Sequence, residues 1–154
     1  MSRAVFIKVK RDKMIIPKEG LSIRRPTPSE ERTMEEESTE GFYDPVSREV
    51  VVRHSPSRIH RKHVLAHELG HSRHSVPLSY GYGKLGSIKL IDLGNELVAD
   101  YYALVINPGD EEAISNIIWL RHQAVNSGTD PAIVALKEKR AIRIVGYKGR
   151  PVRR

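Results

Sequence analysis

Within Ala66-His67-Glu68-Leu69-Gly70-His71, the pattern H-E-x-x-H sets two imidazoles four residues apart, with a carboxylate directly after the first. On a helix, residues four apart stand one above the other on the same face. His67 and His71 would then point at one place, and two neutral imidazoles so arranged begin a tetrahedral zinc site. Glu68 flanks that face. It is badly placed to bind the same ion but well placed to reach a water on it, where a general base for hydrolysis belongs. Zinc used in catalysis takes three protein ligands and keeps one position for water. The chain has no cysteine, so the third ligand has to be a His or a carboxylate.

Asn95-Glu96-Leu97-Val98-Ala99-Asp100-Tyr101-Tyr102-Ala103 supplies a candidate. Read as a helix, it puts Glu96, Ala99, Asp100 and Ala103 on one face. Glu96 can give the carboxylate. Ala99 and Ala103 are small enough to let this helix approach the first closely. Asp100, one turn on, can accept the N–H from the far nitrogen of a metal-bound His, which fixes the tautomer and raises ligand basicity. A blander reading stands beside this one. His60, His63, His67, His71 and His74 follow at spacings of three and four, so all five share one side of a helix. They could be a solvated stripe or a loose metal sponge, and Glu96 and Asp100 could be exposed acids on an amphipathic helix.

H-E-L-G-H followed by E-L-V-A-D, then an aromatic, an alanine and a proline, resembles the gluzincin zinc metallopeptidases. The likeness covers about residues 49–108 and is nearest to their small intracellular members, the ImmA/IrrE-type peptidases and the minimal archaeal gluzincins. It implies one zinc ion on His67, His71 and Glu96, with Glu68 as base and polariser. Asp100 matches the Asp that many gluzincins place four residues after the Glu ligand, whereas ImmA/IrrE-type proteins often carry Asn there. The resemblance also implies a Tyr or His to stabilise the oxyanion; Tyr80, Tyr82, Tyr101, Tyr102 and His122 are the candidates. A strand before the motif helix would form the rim of the cleft and pair with an extended substrate backbone.

The elements that must position these residues can be read in outline. Residues 4–10 alternate as a half-buried strand, and 14–16 suit a second, ended by Pro17. Residues 17–40 hold three prolines, a glycine and an acidic run over 29–40; the spacing predicts an irregular segment with a short strand near 21–25. The acidic run reads as a short solvated helix or a disordered loop. Asp44-Pro45 marks a turn, and Glu49 to His54 a strand that is either the cleft rim or an ordinary member of the sheet. Ser55 caps and Pro56 opens a motif helix over 56–74, with Ile59, Leu65, Ala66 and Leu69 on its core face. His60, His63 and His74 would be solvated or hydrogen-bonded neighbours of the site. Residues 75–87 read as a glycine-rich loop, 90–106 as the ligand helix, and Asp110 as the cap of a third helix with Trp119 in the core. A fourth helix runs from Pro131 to about 140, and Ile142, Ile144 and Val145 suggest a brief strand. The fold expected is α+β: a zincin-like single domain over 1–154, with a short N-terminal sheet, an active-site helix, a Glu-ligand helix and two further helices.

Composition narrows the class. One hundred and fifty-four residues suit one domain with a real core. No apolar run approaches a membrane span, and Met1 to Lys8 does not read as a secretory signal, so a cytoplasmic protein without membrane contact is expected. The net charge of +7 is uneven, since residues 137–154 carry eight Lys or Arg against one Glu. Such a tail serves solubility or an anionic partner such as nucleic acid. The functional expectation is a zinc-dependent endopeptidase acting on protein or peptide. The alternatives are a non-catalytic zinc-binding regulator with a nucleic-acid-contacting tail, and hydrolysis of a non-peptide bond at the same centre. Latency is a further expectation. Either the acidic run offers a carboxylate to the metal, or residues 141–154 lie extended along the rim strand.

Overall fold

The computed structural model describes residues 21–44, 46–74, 80–83 and 90–153, with backbone alone at 80–83 and 90–92. The strands expected over 4–10 and 14–16 lie outside the described residues. The elements in order are β1 (Ser22–Arg24), α1 (Pro28–Glu36), β2 (Thr39–Asp44), β3 (Glu49–Val52), α2 (Arg58–His74), β4 (Tyr80–Gly83), α3 (Leu90–Ile106), α4 (Glu111–Asn126) and α5 (Pro131–Val145). The fold is α+β. No helix among the described residues is long and apolar enough to cross a membrane.

The short strand expected near 21–25 is β1, and of the two readings of the acidic run the helical one holds over 29–36, set by local chemistry. Thr27-Pro28-Ser29-Glu30 is a complete capping box: the Thr27 hydroxyl accepts from the Glu30 amide, the Glu30 carboxylate accepts from the Thr27 amide, and Pro28 occupies the first helical position. Arg24 of β1 pairs with Glu30 at 2.7 Å, and Arg53 with Glu31 at 2.5 Å. Most of the acidic run is therefore helix α1, its last two residues open β2, and Glu30 and Glu31 face arginines of the sheet region.

The sheet order is β1-β3-β2-β4. β1 runs parallel to β3, and β2 runs antiparallel to both β3 and β4. The β2–β3 turn forms as Asp44-Pro45 predicts, with the Asp44 carboxylate accepting from the Val46 amide at 2.9 Å. Residues 49–52 are a strand, with Val50 and Val51 buried. It is interior, however, hydrogen-bonded to β1 on one side and β2 on the other, so it is not the rim. The stretch read as a loop over 75–87 contains β4, which among the described residues is the last strand of the sheet, beside β2.

α2 starts two residues later than expected. The Ser57 hydroxyl accepts from the His60 amide and is the cap, while Ser55 caps the turn before it. Val64, Leu65, Ala66 and Leu69 enter the core, but Ile59 is 75% exposed, because the buried part of α2 begins only at His63. α3 is the central helix, contacting α2, α4 and α5, which is why Leu93, Leu97, Val98, Tyr101 and Leu104 are all buried. Asp110 caps α4 by accepting from the Ala113 amide, and Trp119 is half-buried against the core. α5 continues to Val145 and ends at Gly146, whose φ of 73° is the left-handed stop glycine accepts without strain. The brief strand expected at 142–145 is thus the last turn of a helix. Beyond it, the Tyr147 ring packs on Tyr101, the Val152 amide donates to the Tyr101 hydroxyl, and Arg121 donates to the Val152 carbonyl.

Candidate metal centre

Two helices build the site, and they cross closely because of a glycine. A Cβ on Gly70 of α2 would lie 2.9 Å from the Ala99 Cα and 3.1 Å from the Tyr102 Cβ of α3. Gly70 sits between the two motif histidines, and Ala99 lies between Glu96 and Asp100. This contact therefore sets the distance between the imidazoles on one helix and the carboxylates on the other. The sequence pointed to Ala99 as the small residue at the crossing; its partner Gly70 is in plain view inside H-E-L-G-H.

The side chains converge as follows. His67 Nε2 is 3.1 Å from His71 Nε2 and 3.1 Å from Glu96 Oε1, and His71 Nε2 is 3.0 Å from Glu96 Oε2. The two facing nitrogens cannot both donate to each other, and Glu96 Oε2 has no well-directed hydrogen bond of its own despite the short approach. Around an ion with bonds of about 2.0–2.1 Å, the corners of a tetrahedron stand roughly 3.3 Å apart. Two imidazole nitrogens at nearly that spacing, each met by one oxygen of the same carboxylate, are a donor set that fits Zn²⁺. Asp100 lies behind His67, its Oδ1 accepting from His67 Nδ1 at 2.8 Å, which leaves Nε2 to face the centre.

Glu68 stands apart from this hydrogen bonding. Its side chain is fully buried, and neither carboxylate oxygen has a hydrogen-bond partner. A buried carboxylate with nothing to hold costs several kcal/mol or is neutralised. Burial does raise its pKa to about 8, with Glu96 and Asp100 adding to the rise and His67 opposing it. At His67 burial favours the neutral ring, but Asp100 and Glu96 outweigh it and hold the pKa well above the ordinary value. At Glu96 burial is likewise overcome, by His71 and His67, and the carboxyl lies well below the usual range. β2 presses directly on this region: a Cβ on Gly41 would come within 2.7 Å of Val64 Cγ1 and 3.4 Å of Glu68 Cγ. Gly41 was not singled out from the sequence, because nothing local requires a glycine there.

The other sequence candidates separate. Tyr102 is half-buried on α3 beside His74, ring centroids 5.5 Å apart, with Arg73 over its ring, and burial raises its pKa. Tyr101 faces the opposite way and donates to Glu138, so it is not free to serve an oxyanion. His122 is exposed on α4, on the face opposite the buried Ala113, Ile117, Leu120 and Ala124. Tyr80 and Tyr82 lie on β4, and their side chains are outside the described residues. His60 sits between Glu112 and Glu40, at 2.7 and 3.4 Å. His63 is buried and bonded to Asp110 at 2.7 Å. The histidines therefore do not form a uniform solvated stripe. No protein-family model matches the chain, and no curated protein or solved structure is significantly similar to it.

Proposed function

We propose that the chain is a zinc-dependent metallopeptidase of gluzincin type, with His67, His71 and Glu96 as zinc ligands and Glu68 as general base. The observation that carries this reading is the pairing of a donor set of two imidazoles and one carboxylate, in contact at 3.0–3.1 Å, with a buried carboxylate whose oxygens have no partner among the described residues. A purely structural ion site has no use for such a carboxylate. A zinc ion bound there supplies Lewis acidity that polarises a substrate carbonyl, acidifies water and, by its charge, lowers the pKa of the neighbouring Glu68. Asp100 holds His67 in the tautomer that presents Nε2. Glu68 takes the proton of the attacking water and returns it to the departing amine. Strand β4, beside Gly41 and β2 and at the edge of the sheet among the described residues, offers backbone groups on which an extended peptide can pair. His67 and Glu68 are fully buried and Glu96 is 5% exposed, which keeps bulk water from the carboxylates and imidazoles.

Latency by either segment considered from the sequence is not favoured by this arrangement. Residues 142–145 are helical, Val152 is held at Tyr101, and Glu30 and Glu31 of α1 are engaged by Arg24 and Arg53. The non-catalytic alternative draws on one feature. A groove of about 580 Å³, lined by Leu136, Lys139, Arg140, Arg143 and Lys148 among others, gives the basic end of the chain a surface for an anionic partner. The test between the readings is Glu68→Gln. It should keep zinc and fold while hydrolysis of an unfolded protein falls by about 10²–10⁴ or more. Cleavage at the wild-type rate would remove the proposed mechanism.

A further inference from the structure

His63 lies one turn before His67 on α2 and is as buried as the proposed ligands, at 2% exposure. Its partners come from α4. Its Nδ1 faces Asp110 Oδ2 at 2.7 Å, and its Nε2 faces the Asn116 side-chain nitrogen at 3.3 Å. A carboxylate accepts, so Asp110 draws a ring hydrogen to Nδ1, and the Asn116 amide meets the other nitrogen of the ring. Asp110 is fixed in turn, because its other oxygen caps α4 by accepting from the Ala113 amide at 3.0 Å.

The far side of this imidazole closes on Asp100. His63 Nε2 is 4.0 Å from Asp100 Oδ1, the same oxygen that accepts from His67 Nδ1 at 2.8 Å. Asp100 is 1% exposed, so packed side chains rather than water decide how its carboxylate is turned. At 4.0 Å His63 Nε2 packs against Asp100 Oδ1 from beyond hydrogen-bond reach. The Oδ1 of Asp100 is left to His67. We infer that His63, held by Asp110 and Asn116, is a positioning residue for the metal centre. It wedges the Asp100 carboxylate against His67 and ties the N-terminus of α4 to the ligand helix. The signal in the sequence is the spacing of four between His63 and His67; the partners at Asp110 and Asn116 are distant in the chain.

This inference rests on the zinc reading, and the experiment separates the two. Zn²⁺ affinity of the full chain is measured by competition with a chromophoric chelator, alongside thermal unfolding in chelator, for wild type, His63→Phe, Asn116→Ala, Asp100→Asn and His63→Phe/Asp100→Asn. Removing a partner that orients a metal-binding His costs roughly ten- to a hundredfold in affinity. His63→Phe should lose about tenfold, the lower end of that range, because it acts at one remove. In the Asp100→Asn background, adding His63→Phe should cost no further affinity, since the route through Asp100 is already broken. Asn116 is half-buried, so its replacement tests the same wiring without emptying the core, and weaker zinc binding with an unchanged melting temperature is expected. Wild-type affinity in a folded His63→Phe chain overturns the inference, as does an equal loss with and without Asp100. If His63→Phe does not fold, unchanged affinity in Asn116→Ala overturns it. A wild-type chain that takes up no zinc overturns the metal reading and this inference together.

Discussion

Gly70→Ala adds one carbon at the crossing of α2 and α3. The nearest atom it meets is the Ala99 Cα at 2.9 Å, which is backbone and has no rotamer by which to move aside. Carbon atoms rest at about 3.5–4.0 Å, so the helices must separate locally by roughly 0.6 Å. That displacement falls between the histidines and Glu96, whereas a zinc site tolerates departures of about 0.2 Å in its ligand distances. Two effects then act on stability. Overpacking costs about 1–3 kcal/mol. Replacing glycine by alanine inside a helix returns about 1 kcal/mol. The metal-free chain should therefore lose only about 0–2 kcal/mol, while zinc affinity falls roughly tenfold or more, the scale set by loosened ligand orientation. Thermal unfolding in chelator reads the first quantity and competition titration with Zn²⁺ the second. An alanine variant that binds zinc as tightly as wild type would show that the close crossing does not position the site.

Gly41→Ala should also impair the site, through Val64 and Glu68, and should lower the melting temperature, since its Cβ would stand 2.7 Å from Val64 and 3.0 Å from the Val51 carbonyl. Arg24→Gln should cost less than about 1 kcal/mol at neutral pH, because the ion pair with Glu30 is about a third exposed. Arg24 holds the Glu30 pKa at about 2, so this contribution is present above the ordinary carboxylate value near 4.5 and fades as pH falls through about 2. Melting curves of the two proteins should accordingly converge at the acid end; a constant gap would point to packing instead. A chain ending at Gly146 loses the Tyr147 and Val152 contacts to Tyr101 and Arg121. It should be destabilised by roughly 1–3 kcal/mol without gaining hydrolytic activity, and a clear gain would restore latency through the tail.

The helices that carry the site were legible because their signals are local. Asn107-Pro108 ends α3 and Asp110 opens α4 where the sequence indicates, and the spacing of four in H-E-x-x-H does place both imidazoles on one face. Glu96 and Asp100 were found by the same periodicity, and they meet the histidines as read. What escaped depends on contacts far apart in sequence. β3 reads as a strand anywhere in a sheet, and only pairing with β1 and β2 makes it interior. β2 carries a glycine that looks like a turn residue, yet Gly41 lies mid-strand because α2 presses on it. Ile142, Ile144 and Val145 have strand-favouring side chains, but helix propensity is a weak prior and packing of α5 on α3 overrides it. Gly146 is the stop signal of that helix, beyond the end expected near residue 140. The capping box of α1 was readable and was overlooked among the prolines.

The proposed activity requires one bound ion held by residues from two helices. The most direct measurement is zinc per chain, by elemental analysis after dialysis, for wild type, His67→Ala and Glu96→Ala, each confirmed as folded by circular dichroism. The arrangement of His67, His71 and Glu96 predicts one zinc per wild-type chain and its loss from both variants. A wild-type chain without zinc, or zinc retained in both variants, would contradict the central claim.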